Sequence, residues 1–308
     1  MEKNPFILIP LPLLKELIVD AETINTMFHV GIYFTANKIN VSENDAYKEF
    51  IYCIYRDLKG LTDQLIHTFH TMVDFPYDED YNGFDTSGNE FNPEEEFEYL
   101  LSYSEENPDF HHLLMAWYKI RQVYKMLELN TETVKYTILL VNEHLKKYSF
   151  EGCPFILLNG KVMMNIYTQK DKMQADERAV WAMYLGILSI IGNKEFACTT
   201  SDMIKCRMFG AKNKDELTLL LKNKTFKKAH DKYTSKYQYH KLLNIIQDRN
   251  MITEIGLNRR TYVSYKLKTL NELVDAISMK GNRLKRRQQR NEEKAKAIER
   301  FFASQQNE

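Results

Sequence analysis

Apolar residues recur every three or four positions along most of this chain, which is the spacing of helices that bury one side. Residues 21–37 carry Ile24, Met27, Phe28, Gly31, Ile32 and Thr35 in that rhythm. A longer stripe follows Ser42 (Tyr47, Phe50, Ile51, Ile54, Tyr55, Leu58, Leu61 and Leu65), with Ser42 and Asp45 spaced as a capping box. Residues 109–127 and 131–147 predict two more helices. Before them, Phe6–Ile9 reads as a short strand or an extended arm stopped by Pro10-Leu11-Pro12, and Pro12 suits the first turn of a helix over 13–19. Residues 74–92 have the Gly, Asn, Asp and Ser content of a loop, and Asn92-Pro93-Glu94 opens a helix.

The rhythm changes near residue 150. Residues 155–158 and 162–167, separated by Asn159-Gly160, predict a β-hairpin, because Asn-Gly favours the tight turn that joins two strands. A domain boundary is therefore placed at 150. Residues 175–191 form the most apolar helical stretch, the expected buried first helix of the second domain, and Gly192-Asn193 ends it. A small strand is predicted at 195–198. Thr199 or Thr200 then caps a helix over 201–209, with Met203, Ile204, Met208 and Cys206 toward the core and Gly210 as its left-handed stop. Helical pieces at 214–223 and 224–233 precede a helix at 235–249. Two short strands follow, turning at 256–260, with Ile252, Val263 and Tyr265 on the apolar side. A last helix from 269 loses its stripe after Leu284. The expected fold is mainly α: a helical N-terminal domain (1–150), a second domain with small β-hairpins (151–280), and a basic helical tail (281–308).

Composition changes this picture through charge. Among 308 residues, 42 Lys and Arg balance 42 Asp and Glu, yet residues 1–110 hold six of the former and 22 of the latter. Residues 199–290 hold 22 basic against eight acidic residues. The acidic half is suited to dimerisation or to a protein partner, and the basic half to a polyanion. Opposite charges on the two halves also favour their mutual attraction. The four cysteines lack CxxC spacing, which fits reduced thiols. No leader pattern precedes the first helices, and the longest apolar run, 180–191, is 12 residues, short of the ~20 needed to span a bilayer. The expectation is a cytoplasmic protein that does not enter membranes.

The chemistry concentrates in residues 234–268. At about 100° per residue, Tyr239, Leu242, Leu243 and Ile246 share one side of helix 235–249. Lys236, Tyr237, His240, Lys241 and Asn244 lie away from them, with Asp248 near the far end. Amide, aromatic and cationic side chains on one exposed face are what reading base edges in a major groove requires. At the hairpin tip, Asn258, Arg259 and Arg260 are placed for phosphates or a minor groove. Lys266 and Lys268 keep the element cationic, and Arg283, Lys285, Arg286, Arg287 and Arg290 continue the charge into the tail.

The order helix, short strand, helix with a Gly stop, helix, two-stranded wing over about 175–268 resembles the winged helix-turn-helix family. It is most similar to the versions in replication initiators and in regulators of plasmids, phages and transposable elements. The resemblance implies binding to double-stranded DNA, in transcription regulation or in replication of a mobile element. Residues 211–233 depart from the family, where a short turn is usual, so helix 214–223 is an alternative groove reader. A different reading is an adaptor whose basic face docks an acidic partner. No Gly-rich phosphate loop, GxSxG or HExxH is present, and His67, His70, His111 and His112 lack companion ligands, so neither catalysis nor a cofactor or metal is expected.

Overall fold

The computed structural model describes residues 6–46, 108–130, 134–257 and 260–281. The described chain is mainly helical with two small antiparallel sheets. It divides into two compact units after Arg178.

The first unit is closed by two segments far apart in the chain. Strand β1 (Phe6–Pro10) pairs antiparallel with β2 (Phe155–Asn159), from Phe6 opposite Asn159 to Pro10 opposite Phe155. The pleat sends Ile7 and Ile9 of one strand, and Ile156 and Leu158 of the other, into the core. After β1 come the single turn α1 (Leu14–Leu17) and the helix α2 (Thr23–Ala36). Gly31 lets α2 approach the strand: a Cβ there would lie 2.6 Å from Ile7 Cγ2. The Thr35 hydroxyl accepts the Leu8 N–H at 2.9 Å, fixing the same contact through a polar bond. Ser42 starts the next helical residues, 43–46, and its Oγ accepts the Asp45 N–H at 3.2 Å. Helices α3 (Pro108–Met126) and α4 (Val134–Lys147) complete the packing around α2.

This pairing corrects the expected hairpin at 155–167. Residues after Asn159 form a helix, α5 (Gly160–Thr168), and the Asn159 side chain accepts the Lys161 N–H at 2.9 Å as its N-cap. Asn serves equally well as a cap and as a turn residue, and Gly160 is not among the glycines with positive φ, so the tight hairpin turn is absent. Met163 and Ile166, three apart, are buried on the helical rhythm. With β2 bound to β1, the segment expected to lead the second domain belongs to the first unit, and the division moves from 150 to 178. Arg178 fastens that end, donating from Nε to Leu17 O (3.0 Å), from Nη1 to Met173 O (2.8 Å) and from Nη2 to Ile18 O (3.3 Å).

The second unit is built around α6 (Ala175–Ile191), whose residues 179–188 are all buried, as befits a helix apolar on every side. Gly192, at φ 55°, ends it. Strand β3 (Ala197–Thr199) leads to α7 (Ser201–Met208), whose first turn is capped by the Thr200 hydroxyl accepting the Met203 N–H at 3.2 Å. Ile204, Cys206 and Met208 are buried, Met203 is half-buried, and Gly210 at φ 72° turns the chain away. Two further helices follow, α8 (Lys214–Leu220) and α9 (Lys224–Thr234), then α10 (Lys236–Asp248). Strands β4 (Thr253–Leu257) and β5 (Arg260–Ser264) come next and join β3 in a sheet of order β3-β5-β4. Residues 270–281 are helical, α11.

Helices α6 and α7 cross at backbone contact. A Cβ on Gly186 would lie 2.8 Å from Met208 N and 2.9 Å from Arg207 C, and backbone cannot swing aside as a long side chain can. Gly186→Ala must push the two helices apart, and overpacking of this kind costs roughly 1–3 kcal/mol. Denaturant titration of the full chain checks this, and a midpoint equal to wild type would contradict the close crossing.

Candidate functional site

The site is built on α10. Its first residue follows Ser235, whose extended backbone (φ −56°, ψ 147°) breaks the chain between α9 and α10. The Ser235 hydroxyl donates back to Lys232 O at 3.1 Å and does not cap α10. Tyr239, Leu242, Leu243 and Ile246 are buried, the four residues whose spacing predicted a core face. The opposite side is open: Lys236, Tyr237, His240, Lys241 and Asn244 are exposed, and Tyr237 keeps 74% of its surface in solvent. Together with Ile245 and Asp248 they border an open surface depression of about 710 Å³.

Two contacts join α10 to the neighbouring elements. Lys205 of α7 lies over the Tyr239 ring, Nζ to centroid 5.3 Å, tying the two helices together. Glu254 sits opposite Val263 in the β4–β5 register, half-buried, and accepts from Gln247 Nε2 at 3.4 Å. Burial pushes the Glu254 carboxyl above its usual range. Burial also raises the Tyr239 phenol, and Glu254 and Asp202 add to it. Neither Lys205 nor Glu254 follows from spacing, since each meets α10 across a tertiary contact.

The β4–β5 ribbon leaves α10 after four residues. Ile252 and Val263 are buried and Tyr265 is half-buried, giving the ribbon its apolar side. Leu257 pairs with Arg260, so a two-residue connection joins the strands, and Arg260 is exposed at its exit. Asn258 and Arg259 lie outside the described residues, as do Arg283, Lys285, Arg286, Arg287 and Arg290. At the end of β5, the buried Ser264 hydroxyl donates to Glu195 O and accepts the N–H groups of Lys266 (3.1 Å) and Leu267 (3.0 Å).

Lys266 and Lys268 are exposed, and each donates to a backbone carbonyl. Lys266 Nζ donates to Asn193 O at 2.9 Å, just beyond the C-terminal end of α6. Lys268 Nζ donates to Asn250 O at 3.3 Å, just beyond the end of α10. A cation at a helix C-terminus meets unpaired carbonyls and the negative end of the dipole, so both ammonium groups already have partners. The structure thus gathers Lys236, Tyr237, His240, Lys241 and Asn244 on one face and places Lys266 and Lys268 on helix ends instead.

Among the described residues no group of His, Cys, Asp and Glu is arranged to hold a metal ion, and no helix is long and apolar enough to cross a membrane. No protein-family model matches the chain, and no curated protein or solved structure matches it.

Proposed function

We propose that the second unit is a winged helix-turn-helix module that binds double-stranded DNA, with α10 reading the major groove and the β4–β5 ribbon as the wing. The carrying observation is the outward side of α10: a tyrosine, a histidine, a lysine and an asparagine share one exposed face on a helix whose other side is locked into the core. Asn and Lys side chains can pair with adenine and guanine edges, and a rigid helix presents them at fixed spacing. The sheet order β3-β5-β4 and the direct step from α10 into the ribbon support the same reading.

Helix α8 is the weaker candidate for the groove. It has seven residues, and its first turn carries Asp215 and Glu216, which phosphates would repel. Glu216 is also occupied as a cap, accepting the Lys212 N–H at 2.6 Å. Within this reading the biological setting is regulation of transcription or initiation of replication on a mobile element.

The wing gives the test. Arg259→Ala together with Arg260→Ala weakens binding to all duplex sequences alike. It also flattens the slope of log K against log salt by about 1.8, for two phosphate contacts at ~0.9 each. Gel shifts over a salt series measure both quantities. Unchanged affinity for random duplex at low salt would remove the wing from the interface. Retention by acidic protein with no duplex shift at all would favour an adaptor.

A further inference from the structure

Residues 209–235 separate α7 from α10, where a turn of three or four residues joins the paired helices of simpler helix-turn-helix modules. The additional chain forms α8 and α9, and α9 has two unlike sides. Tyr233 is buried, Phe226 and His230 are half-buried, and the His230 ring lies 5.3 Å from that of Phe209. On the other side Lys224, Lys227 and Lys228 fall within about 100° of one another and are all exposed. None of the three pairs with an acid among the described residues, and Asp231 of the same helix lies instead against His230 Nδ1 at 3.4 Å. From 222 to 241 the chain holds seven lysines and one acid.

That placement works against the helix itself. Lys224 and Lys228 are like charges at i and i+4, a pairing that destabilises a helix by ~0.2–0.5 kcal/mol. Lys224, Lys227 and Lys228 all lie in the N-terminal half, against the positive end of the dipole, and the first turn has no acid to offset them. A merely solvated face would be served as well by mixed signs. A row of anions along α9 relieves both penalties at once.

Resting on the duplex-binding reading, we propose that α9 is a backbone clamp, with Lys224, Lys227 and Lys228 holding phosphates of the duplex beyond the groove contact of α10. Eleven residues span about 16 Å. The length of α9 is thus roughly half of a 34–36 Å helical turn of duplex.

The test uses the full chain carrying Lys224→Gln, Lys227→Gln and Lys228→Gln. The slope of log K against log salt becomes shallower by about 2.7, for three contacts at ~0.9 each. Hydroxyl-radical protection is lost on one flank of the site, and the ratio of preferred to random affinity is unchanged. The triple Lys→Arg variant restores slope and footprint, and the melting temperature of the Gln variant does not fall. A wild-type slope and footprint in the Gln variant overturn the clamp while leaving the α10 reading intact. A wild-type chain that fails to bind duplex at low salt overturns both.

Discussion

Alanine at Tyr237, His240, Lys241 and Asn244 together abolishes the preference of the protein for one duplex sequence over another. All four side chains are exposed on α10, and Tyr239, Leu242, Leu243 and Ile246, which carry the packing, are untouched. The variant therefore folds. A good contact to a base edge discriminates by ~1–3 kcal/mol, so losing two of them lowers affinity for the preferred site by about 30-fold or more. Affinity for random duplex, set by phosphates, falls only by the share of Lys241. Fluorescence anisotropy on a selected duplex and on a scrambled one measures the ratio. A quadruple variant with undiminished preference would contradict α10 as the reader.

The second large effect concerns acid stability of the first unit. His29 is buried, and its Nδ1 lies 2.6 Å from the Thr137 hydroxyl and 3.3 Å from that of Tyr124, which is itself 2.7 Å from Thr137 Oγ1. Its ring meets Tyr136 and Tyr167 edge-on, and the buried Nε2 has no hydrogen-bond partner among the described residues. Burial lowers the imidazole from 6.5 to about 4, because a charge there would lose its hydration. Below pH 6.5 the unfolded chain takes up a proton that the folded chain refuses until about pH 4. Stability from this group is therefore fully present above 6.5, declines between 6.5 and 4, and is then exhausted. The total loss is about 3 kcal/mol.

His29→Gln separates this contribution from the carboxylates that also titrate in acid. Urea titrations of both proteins from pH 7 to pH 4 give a stability difference that shifts by about 3 kcal/mol against wild type. A difference independent of pH would mean that the buried ring is not held neutral.

How far these features could be read from the chain depended on range. The core side of α10 was legible because one helix buries one side, so angular spacing alone separates Tyr239 and Leu242 from Tyr237 and Lys241. Gly192 and Gly210 were legible as stops because left-handed backbone has a strong local residue preference. The β1–β2 pairing was not: its strands lie about 150 residues apart, and nothing local announces the partner. Asn159-Gly160 misled for a related reason, since the same dipeptide can close a hairpin or begin a helix and the tertiary partner decides. Charge showed that Lys266 and Lys268 were cationic but not that each ammonium reaches a carbonyl beyond a helix end. Lys205 and Glu254 likewise acquire their roles from contacts across the unit.

The central claim, that α10 carries the contact with duplex DNA, is tested most directly by photo-crosslinking the full chain to a duplex from a binding-site selection and identifying the attached peptide. Attachment within Lys236–Asp248, lost in the quadruple alanine variant, is the expected result. Attachment confined to α8 or to the first unit, or no attachment at low salt, would contradict it.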